Sequence, residues 1–371
     1  MTTNNPGVIQ YAVNYGEIDP VKRMFQQFGR ETVISTNSRV PELDGCRGES
    51  VHIVSFNGWL VGSLIEGLGT RGLIADEIYR TTRISHYHAI GWSAAQTIFN
   101  DMATSGIPPF VTHMYLSAGS NDVFADMKKM EDLGSGWRDA CLNEGSIWGG
   151  GETPMLRDLV APGTFEIAGA TWGVTGFKDP AINSKDIAPD DVIIFIASSG
   201  IHDNGLTLAR DVRTERLLEH GYADLVSSNL TFGEALMQPT FSYGPLVRRV
   251  RKMGVEVHSA INVTGHGLAK LARATAPFHY IVEELPEPQP VFSFIQEYSG
   301  LSSAQMYSKF NMGVGFAIIV PKRDEDRTIE IAQDFCHKAW RGGVVKIAHD
   351  TQKRVVLPNG IVFTEKDVAV R

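Results

Sequence analysis

At 371 residues, with 34 Lys plus Arg against 42 Asp plus Glu and a formal net charge of −8, the chain has room for two domains and no basic surplus of the kind a nucleic-acid or membrane-surface protein carries. Its 43% hydrophobic and 20% charged residues are those of a globular protein; no run of ~18 apolar residues predicts a bilayer span, and the polar stretch Met1–Gly7 lacks a signal-peptide core. Cys46, Cys141 and Cys336 are scattered without metal-ligand spacing, which fits a reduced cytoplasm.

In chain order, Met1–Asn14 reads as a loose leader. Asp19-Pro20 before Val21, Met24 and Phe25 predicts a helix with Asp19 as its cap. Ser35–Ser50 is polar and punctuated by Gly and Pro, hence a loop. Val51–Phe56 and Leu60–Ile65 predict strands, the second closed by Glu66-Gly-Leu-Gly-Thr-Arg71. Ala89–Gly106 carries the apolar spacing of a long helix, with Asn100 and Asp101 near its end. An acidic residue there opposes the helix dipole, a hint of cation binding. Phe110–Leu116 predicts a strand, Asp122–Asn143 an amphipathic helix and Phe165–Val174 a strand. The polar, proline-bearing stretch 176–191 is the candidate interdomain link.

The second half opens with Val192–Ala197, a buried-strand run. Ser198-Ser-Gly-Ile-His-Asp-Asn-Gly205 then feeds a helix from about Leu206, a geometry that aims backbone N–H groups at an anion. Pro245–Met253 predicts a basic helix, Val255–Ile261 a strand, and Asn262-Val-Thr-Gly-His-Gly-Leu-Ala-Lys-Leu271 a second strand, turn and helix. Gln305–Phe310 predicts a helix, Asn311–Val320 a turn and buried strand, and Arg327–Ala339 a helix. Val344–Ile347 and Arg354–Phe363 predict closing strands joined by a polar hairpin. Strands interleave with helices in both halves, so the class is α/β or α+β. Neither Gly-x-x-x-x-Gly-Lys-Ser/Thr nor a Gly-x-Gly-x-x-Gly after a strand occurs, which demotes a P-loop kinase and a Rossmann oxidoreductase.

The chemistry concentrates around Ser146-Ile-Trp-Gly-Gly-Gly-Glu152-Thr-Pro154. Consecutive glycines allow positive φ and close backbone approach, and their N–H groups can cradle an anion. A carboxylate beside such a nest makes sense when a divalent cation lies between them. A tight turn between two core elements is the plain alternative.

Gly150-Gly-Glu-Thr153, Ser198-Ser-Gly-x-His-x-Asn-Gly205, Thr264-Gly-x-Gly267 and Met306-Tyr-x-x-Phe-Asn-x-Gly-Val-Gly315 follow one another in an order that resembles the aminoimidazole ribonucleotide synthetase (phosphoribosylformylglycinamidine cyclo-ligase) family. Asn100-Asp101 with Gly106-Ile-Pro-Pro, and Glu66-Gly-Leu-Gly-Thr-Arg71, are similar to two further family elements, and the likeness runs from Leu64 to about Val356. It implies a two-domain α/β fold, with a leader and loop over 1–50, an ATP-binding and dimerisation domain over 51–176 and a C-terminal α/β domain over 177–371. It implies N-terminal domains that pair into a β-barrel across a homodimer. The reaction implied is ATP-dependent closure of the imidazole ring of formylglycinamidine ribonucleotide after phosphorylation of its amide oxygen. Cofactors implied are ATP and Mg²⁺, with K⁺ a candidate; the partner is a small nucleotide substrate, with no nucleic acid or membrane.

Carried over by motif, Gly67, Gly69, Thr70, Gly149, Gly150 and Gly151 approach the phosphates, with Arg71 as their charge partner. Glu66, Asn100, Asp101 and Glu152 hold the metal, and His202, Asp101 and Glu152 serve catalysis. Ser199, Gly200, Asn204, Thr264 and Gly265 bind substrate. His86, His88 and His266 read as structural or surface residues and Asn311 as a turn former. Three positions depart from the family pattern: Glu66 stands for Asp, Arg71 for Lys, and Asn262 lies where a His is frequent. Arg for Lys is not conservative at a phosphate. Alternatives are a same-fold enzyme that phosphorylates another small substrate, and a non-catalytic nucleotide-binding relative.

Overall fold

The computed structural model describes residues 8–9, 15–35, 40–176, 179–217, 219–335 and 337–368. The expected leader, apart from Val8 and Ile9, residues 36–39 of the expected loop, and Cys336 lie outside them. The first helix, α1 (Tyr15–Ser35), begins ahead of Asp19, so Pro20 is not its first residue but lies in its second turn, where it forfeits one backbone hydrogen bond.

The first half holds β1 (His52–Phe56), β2 (Trp59–Gly67), α2 (Arg71–Thr82), α3 (Tyr87–Ala103), β3 (Pro109–Ala118), α4 (Asp122–Ala125), α5 (Met127–Glu144), β4 (Ile147–Glu152) and β5 (Phe165–Gly176). The single helix expected over Asp122–Asn143 is two, because Asp126 leaves the helix and its carboxylate caps the next one by accepting from Lys129 N at 3.0 Å. The strands form one sheet in the order β1-β2-β5-β3-β4, antiparallel except for β3 beside β4. Alternation along β5 decides its faces: Phe165, Ile167, Gly169 and Thr171 are buried while Trp172 is exposed. Helices α3 and α5 cover the buried side. They cross with backbones in contact, since a Cβ on Gly91 would stand 1.9 Å from Leu133 O and one on Gly136 2.0 Å from His88 O.

The second half holds β6 (Val192–Ala197), α6 (Leu206–Glu215), the small pair β7 (Leu225–Ser227) and β8 (Leu230–Thr231), α7 (Phe232–Leu236), α8 (Gly244–Lys252), β9 (Ser259–Asn262), β10 (Phe278–Val282), α9 (Pro290–Ser299), α10 (Ser303–Lys309), β11 (Val314–Val320), α11 (Glu325–Asp334), β12 (Ala339–Ile347), β13 (Arg354–Val356) and β14 (Val362–Thr364). Seven strands make a sheet in the order β14-β13-β10-β12-β6-β11-β9. β6 and β11 lie inside it, and β11 is buried at every residue, as their unbroken apolar runs require. The expected hairpin between Val344–Ile347 and Arg354–Phe363 is not formed: β10 stands between β12 and β13 and pairs with both, and the second segment is itself the antiparallel pair β13 and β14. Helix α11 stops at Asp334, and the residues expected to continue it to Ala339 lead into β12. Among the described residues no helix is long and apolar enough to cross a membrane.

Candidate functional site

The turn after β2 brings the two halves together. Gly69 has φ +71°, a conformation that favours glycine, and its N–H donates to Glu166 Oε1 at 3.1 Å. Burial pushes the Glu166 carboxyl up. Thr70 Oγ1 lies 3.3 Å from Thr207 Oγ1 on α6, a contact from one half to the other.

Arg71 follows at once and is fully buried. Its Nη1 donates to Asp203 Oδ1 at 2.5 Å and to Thr240 Oγ1 at 3.2 Å, and its Nη2 donates to Gln238 O at 2.5 Å. Asp203 Oδ2 accepts from Thr97 Oγ1 at 3.1 Å and from Thr240 Oγ1 at 2.6 Å. The guanidinium expected to meet a triphosphate is instead enclosed in an ion pair that joins α2 to the second half.

Asn100 is likewise turned away from the role expected of it. Its Nδ2 donates to Phe241 O at 2.7 Å and its Oδ1 accepts from Tyr243 N at 2.9 Å. With both ends of the amide engaged, Asn100 fastens α3 to the residues ahead of α8, and it is buried there.

Asp101, the next residue, points elsewhere. Its Oδ1 accepts from Asn262 Nδ2 at 2.8 Å across the boundary between the halves. Glu66 stands beside it. Although part of the Glu66 side chain reaches solvent, desolvation on its crowded side, followed by the charge of Asp101, pushes its carboxyl up to about 7. Burial is the larger cause of that rise and the like charge of Asp101 the second. Among the described residues, neither carboxylate takes part in an ion pair within 4.0 Å. The nearest cations felt by Glu66 are Lys270 and Lys22. Lys270 is nearly buried, and its Nζ donates to Asn262 O at 3.0 Å and to Thr264 Oγ1. Desolvation lowers its ammonium to about 8. Glu66, Asp101, Asn262, Thr264 and Lys270 thus form one charged cluster between the two sheets. Gly265 adjoins it in sequence.

The glycine run is not a turn. Gly149–Gly151 belong to β4, the edge strand beside β3. A Cβ on Gly151 would stand 1.7 Å from Met114 O, and one on Gly149 2.8 Å from the His113 ring, so close strand packing accounts for both glycines. Only Gly150 of the three has positive φ. Register also fixes where Glu152 points. Glu66, Gly169, Met114 and Gly151 are partners in one row across the sheet, and Gly67, Ala168, Tyr115 and Glu152 in the next. The first row faces the helices, because a Cβ on Gly169 would meet Trp137 at 2.6 Å. Adjacent rows face opposite sides, so Glu152 faces the open side and Glu66 the covered one. Three strand steps of ~4.8 Å put their strands ~14 Å apart. Within one chain the structure does not gather Glu152 with Glu66 and Asp101.

His202 is buried, with φ +57°. Its Nε2 accepts from Ser199 N at 3.1 Å, and its ring packs near Phe241 and Tyr243 at centroid distances of 6.3 and 6.1 Å. Burial pushes its imidazole down to about 4, so it is neutral near pH 7 and holds the loop together, in place of the expected projection into a cleft. Ser199 Oγ donates to Pro239 O at 2.6 Å. Asn311, read as a turn former, ties this loop down: its Oδ1 accepts from Ser198 Oγ and Gly313 N, and its Nδ2 donates to Gly200 O and Ile201 O. Asn204 remains partly exposed at the loop's end.

Lys270, Asp203 and Glu166 were not among the residues singled out from sequence. Lys270 lies inside the Asn262–Leu271 segment, where a lysine in a turn-to-helix pattern reads as solvated. Glu166 had a signal, a carboxylate in an alternating apolar strand.

The residues 188–353 match the family described as "AIR synthase related protein, C-terminal domain". A protein of Pyrococcus horikoshii called phosphoribosylformylglycinamidine cyclo-ligase is 31% identical over 299 residues, 79% of this chain and 82% of the relative. One of the same name from Methanocaldococcus jannaschii is 29% identical over 283 residues, 76% and 77%. Among solved structures, a chain of the HypE–HypF complex superposes with TM-score 0.59 at 16% identity, covering 85% of this chain and 92% of that one. AaThiL complexed with AMPPCP and TMP gives 0.58 at 13%, covering 94% and 96%. T. maritima PurL complexed with FGAR gives 0.55 at 15%, covering 95% and 53%. At these identities the structural likenesses speak to the fold.

Proposed function

The chain belongs to the phosphoribosylformylglycinamidine cyclo-ligase family, and from that premise we propose that it closes the imidazole ring of formylglycinamidine ribonucleotide with ATP, in the cytoplasm and as a homodimer. The observation that carries the reading is kinship with enzymes of one name along more than three quarters of the chain. The reaction transfers the terminal phosphoryl group of ATP to the amide oxygen; the amidine nitrogen then attacks that carbon, and phosphate departs as the ring closes. ADP and phosphate are the co-products.

Such chemistry needs positioning and charge neutralisation more than a strong nucleophile. The under-compensated pair Glu66 and Asp101 fits Mg²⁺, which prefers one or two carboxylates with phosphate oxygens completing its shell. When bound, the metal supplies positive charge against the phosphates. Gly67, Gly69 and Thr70 present the adjoining backbone, and Thr264 and Gly265 stand across the boundary for the substrate. The apolar residues Trp59, Ile65, Tyr115, Ile147 and Trp172 on the open side of the first sheet suit burial against a second copy, which would also enclose Glu152 and the glycine strand. AaThiL with AMPPCP and PurL with FGAR offer precedent for nucleotides on this fold.

The departures at Glu66, Arg71 and Asn262 favour one second reading, ATP-driven phosphorylation of a different small substrate. The test is phosphate release by the purified protein with Mg²⁺ and ATP. Release that depends on formylglycinamidine ribonucleotide, with aminoimidazole ribonucleotide as product, is expected; ATP hydrolysis indifferent to that substrate would overturn the reading.

A further inference from the structure

With Arg71 enclosed by Asp203, the site needs another cation for the phosphate charge. We infer that Lys270, from the second half, is the residue that binds the terminal phosphate of the nucleotide. The inference rests on the ATP-dependent reading above.

Three observations support it. Lys270 holds its ammonium with neutral acceptors only, Asn262 O and Thr264 Oγ1, and no carboxylate lies within ion-pair distance of it among the described residues. Two of its three N–H bonds are thereby engaged, and the third is left for a ligand. The charges of Asp101, Glu66 and Glu49 offset part of the cost of burying this ammonium, and a bound phosphate oxygen would supply an anion in direct contact. Lys270 also lines a small open cleft together with Glu49, Thr104, Ser259, Asn262 and Arg273. Among the described residues, Arg273 Nε is buried in the same region without a hydrogen-bond partner, and its Nη2 donates to Gly48 O at 3.5 Å. Two cations with unanswered donors therefore border one cleft.

Position argues for the terminal phosphate in particular. Lys270 and Asp101 are linked through Asn262, by Nδ2 to Asp101 and by the carbonyl oxygen to Lys270. A metal held by Glu66 and Asp101 and an ammonium held by Asn262 and Thr264 would meet the same phosphate from the two halves of the molecule. At that boundary Asp101 of the first half and Asn262 and Lys270 of the second are joined by hydrogen bonds.

The test measures equilibrium binding of ATP and of ADP, each with Mg²⁺, to the wild-type chain, Lys270→Met and Lys270→Arg, with thermal unfolding of each. Loss of a charge-assisted hydrogen bond weakens binding by about tenfold or more. Lys270→Met is expected to lose that factor for ATP but little for ADP, while melting no lower than wild type; Lys270→Arg is expected to recover part of the ATP preference. Equal loss for both nucleotides, or none, would refute the assignment of Lys270 and leave the ATP reading standing. A wild-type chain that binds neither nucleotide would refute both.

Discussion

Replacing Asp203 by Ala is the sharpest probe of how the two halves are joined. Arg71 is fully buried and gives three hydrogen bonds, of which only that to Asp203 meets an anion. Its Nε is buried with no partner, so the guanidinium has no second source of compensation. Breaking a buried pair from one side strands a charge, at a cost of about 3–5 kcal/mol, a large share of a domain's total stability of ~5–15 kcal/mol. Thr97 and Thr240 lose their acceptor in the same step. Urea unfolding followed by intrinsic fluorescence measures the loss. The double variant Arg71→Met with Asp203→Leu removes both charges, and its cost is expected to fall well short of the sum of the single variants, since a packed apolar pair can replace an ion pair. A loss below ~1 kcal/mol for Asp203→Ala, or strict additivity, would show that the guanidinium escapes to water and that the enclosed ion pair is not what joins α2 to the second half.

Two further expectations concern stability. His202 titrates at about 4 when folded against ~6.5 unfolded, so the unfolded chain binds more protons between those values and stability rises with pH across that window. The contribution is complete above pH ~6.5 and about 3 kcal/mol is lost by pH ~4; His202→Gln should flatten that part of the stability–pH curve, and an unchanged slope would show that the imidazole is not enclosed. Gly151→Ala places a Cβ 1.7 Å from Met114 O, so β4 must separate from β3. Faster amide exchange along Ile147–Glu152 is the expected result, and protection equal to wild type would contradict the strand pairing.

Periodicity carried most of the fold. The unbroken apolar runs of β6 and β11 and the 3.6-residue spacing of α3 gave their elements directly, because burial dictates both patterns. Strand order was beyond reach: nothing local in Val344–Ile347 says that its neighbour is β10 instead of the strand that follows it. The site divided along the same line. Glu66 and Asp101 were singled out from local context, and the charge of Asp101 is felt at Glu66. Arg71 and His202 were assigned by motif to ligands, and Asn100 from the same local context as Asp101, yet each is held by a residue more than 100 positions away or enclosed by the second half. Side-chain partners of that kind leave no trace in local spacing. In the glycine run the strand placement was not legible, since glycine serves a close strand contact as well as a ligand nest, and the contact with β3 shows only in the fold.

The sheet of the first half works as a partition. Glu66, Arg71 and Asn262, which depart from the pattern the resemblance implies, lie on its covered side or at the boundary beyond it, whereas Gly149–Glu152 belongs to the edge strand. The two walls are therefore free to diverge separately. Substitutions that reshape what the second half recognises leave untouched the surface a neighbouring copy would read, so a new substrate can be adopted without redesigning the assembly.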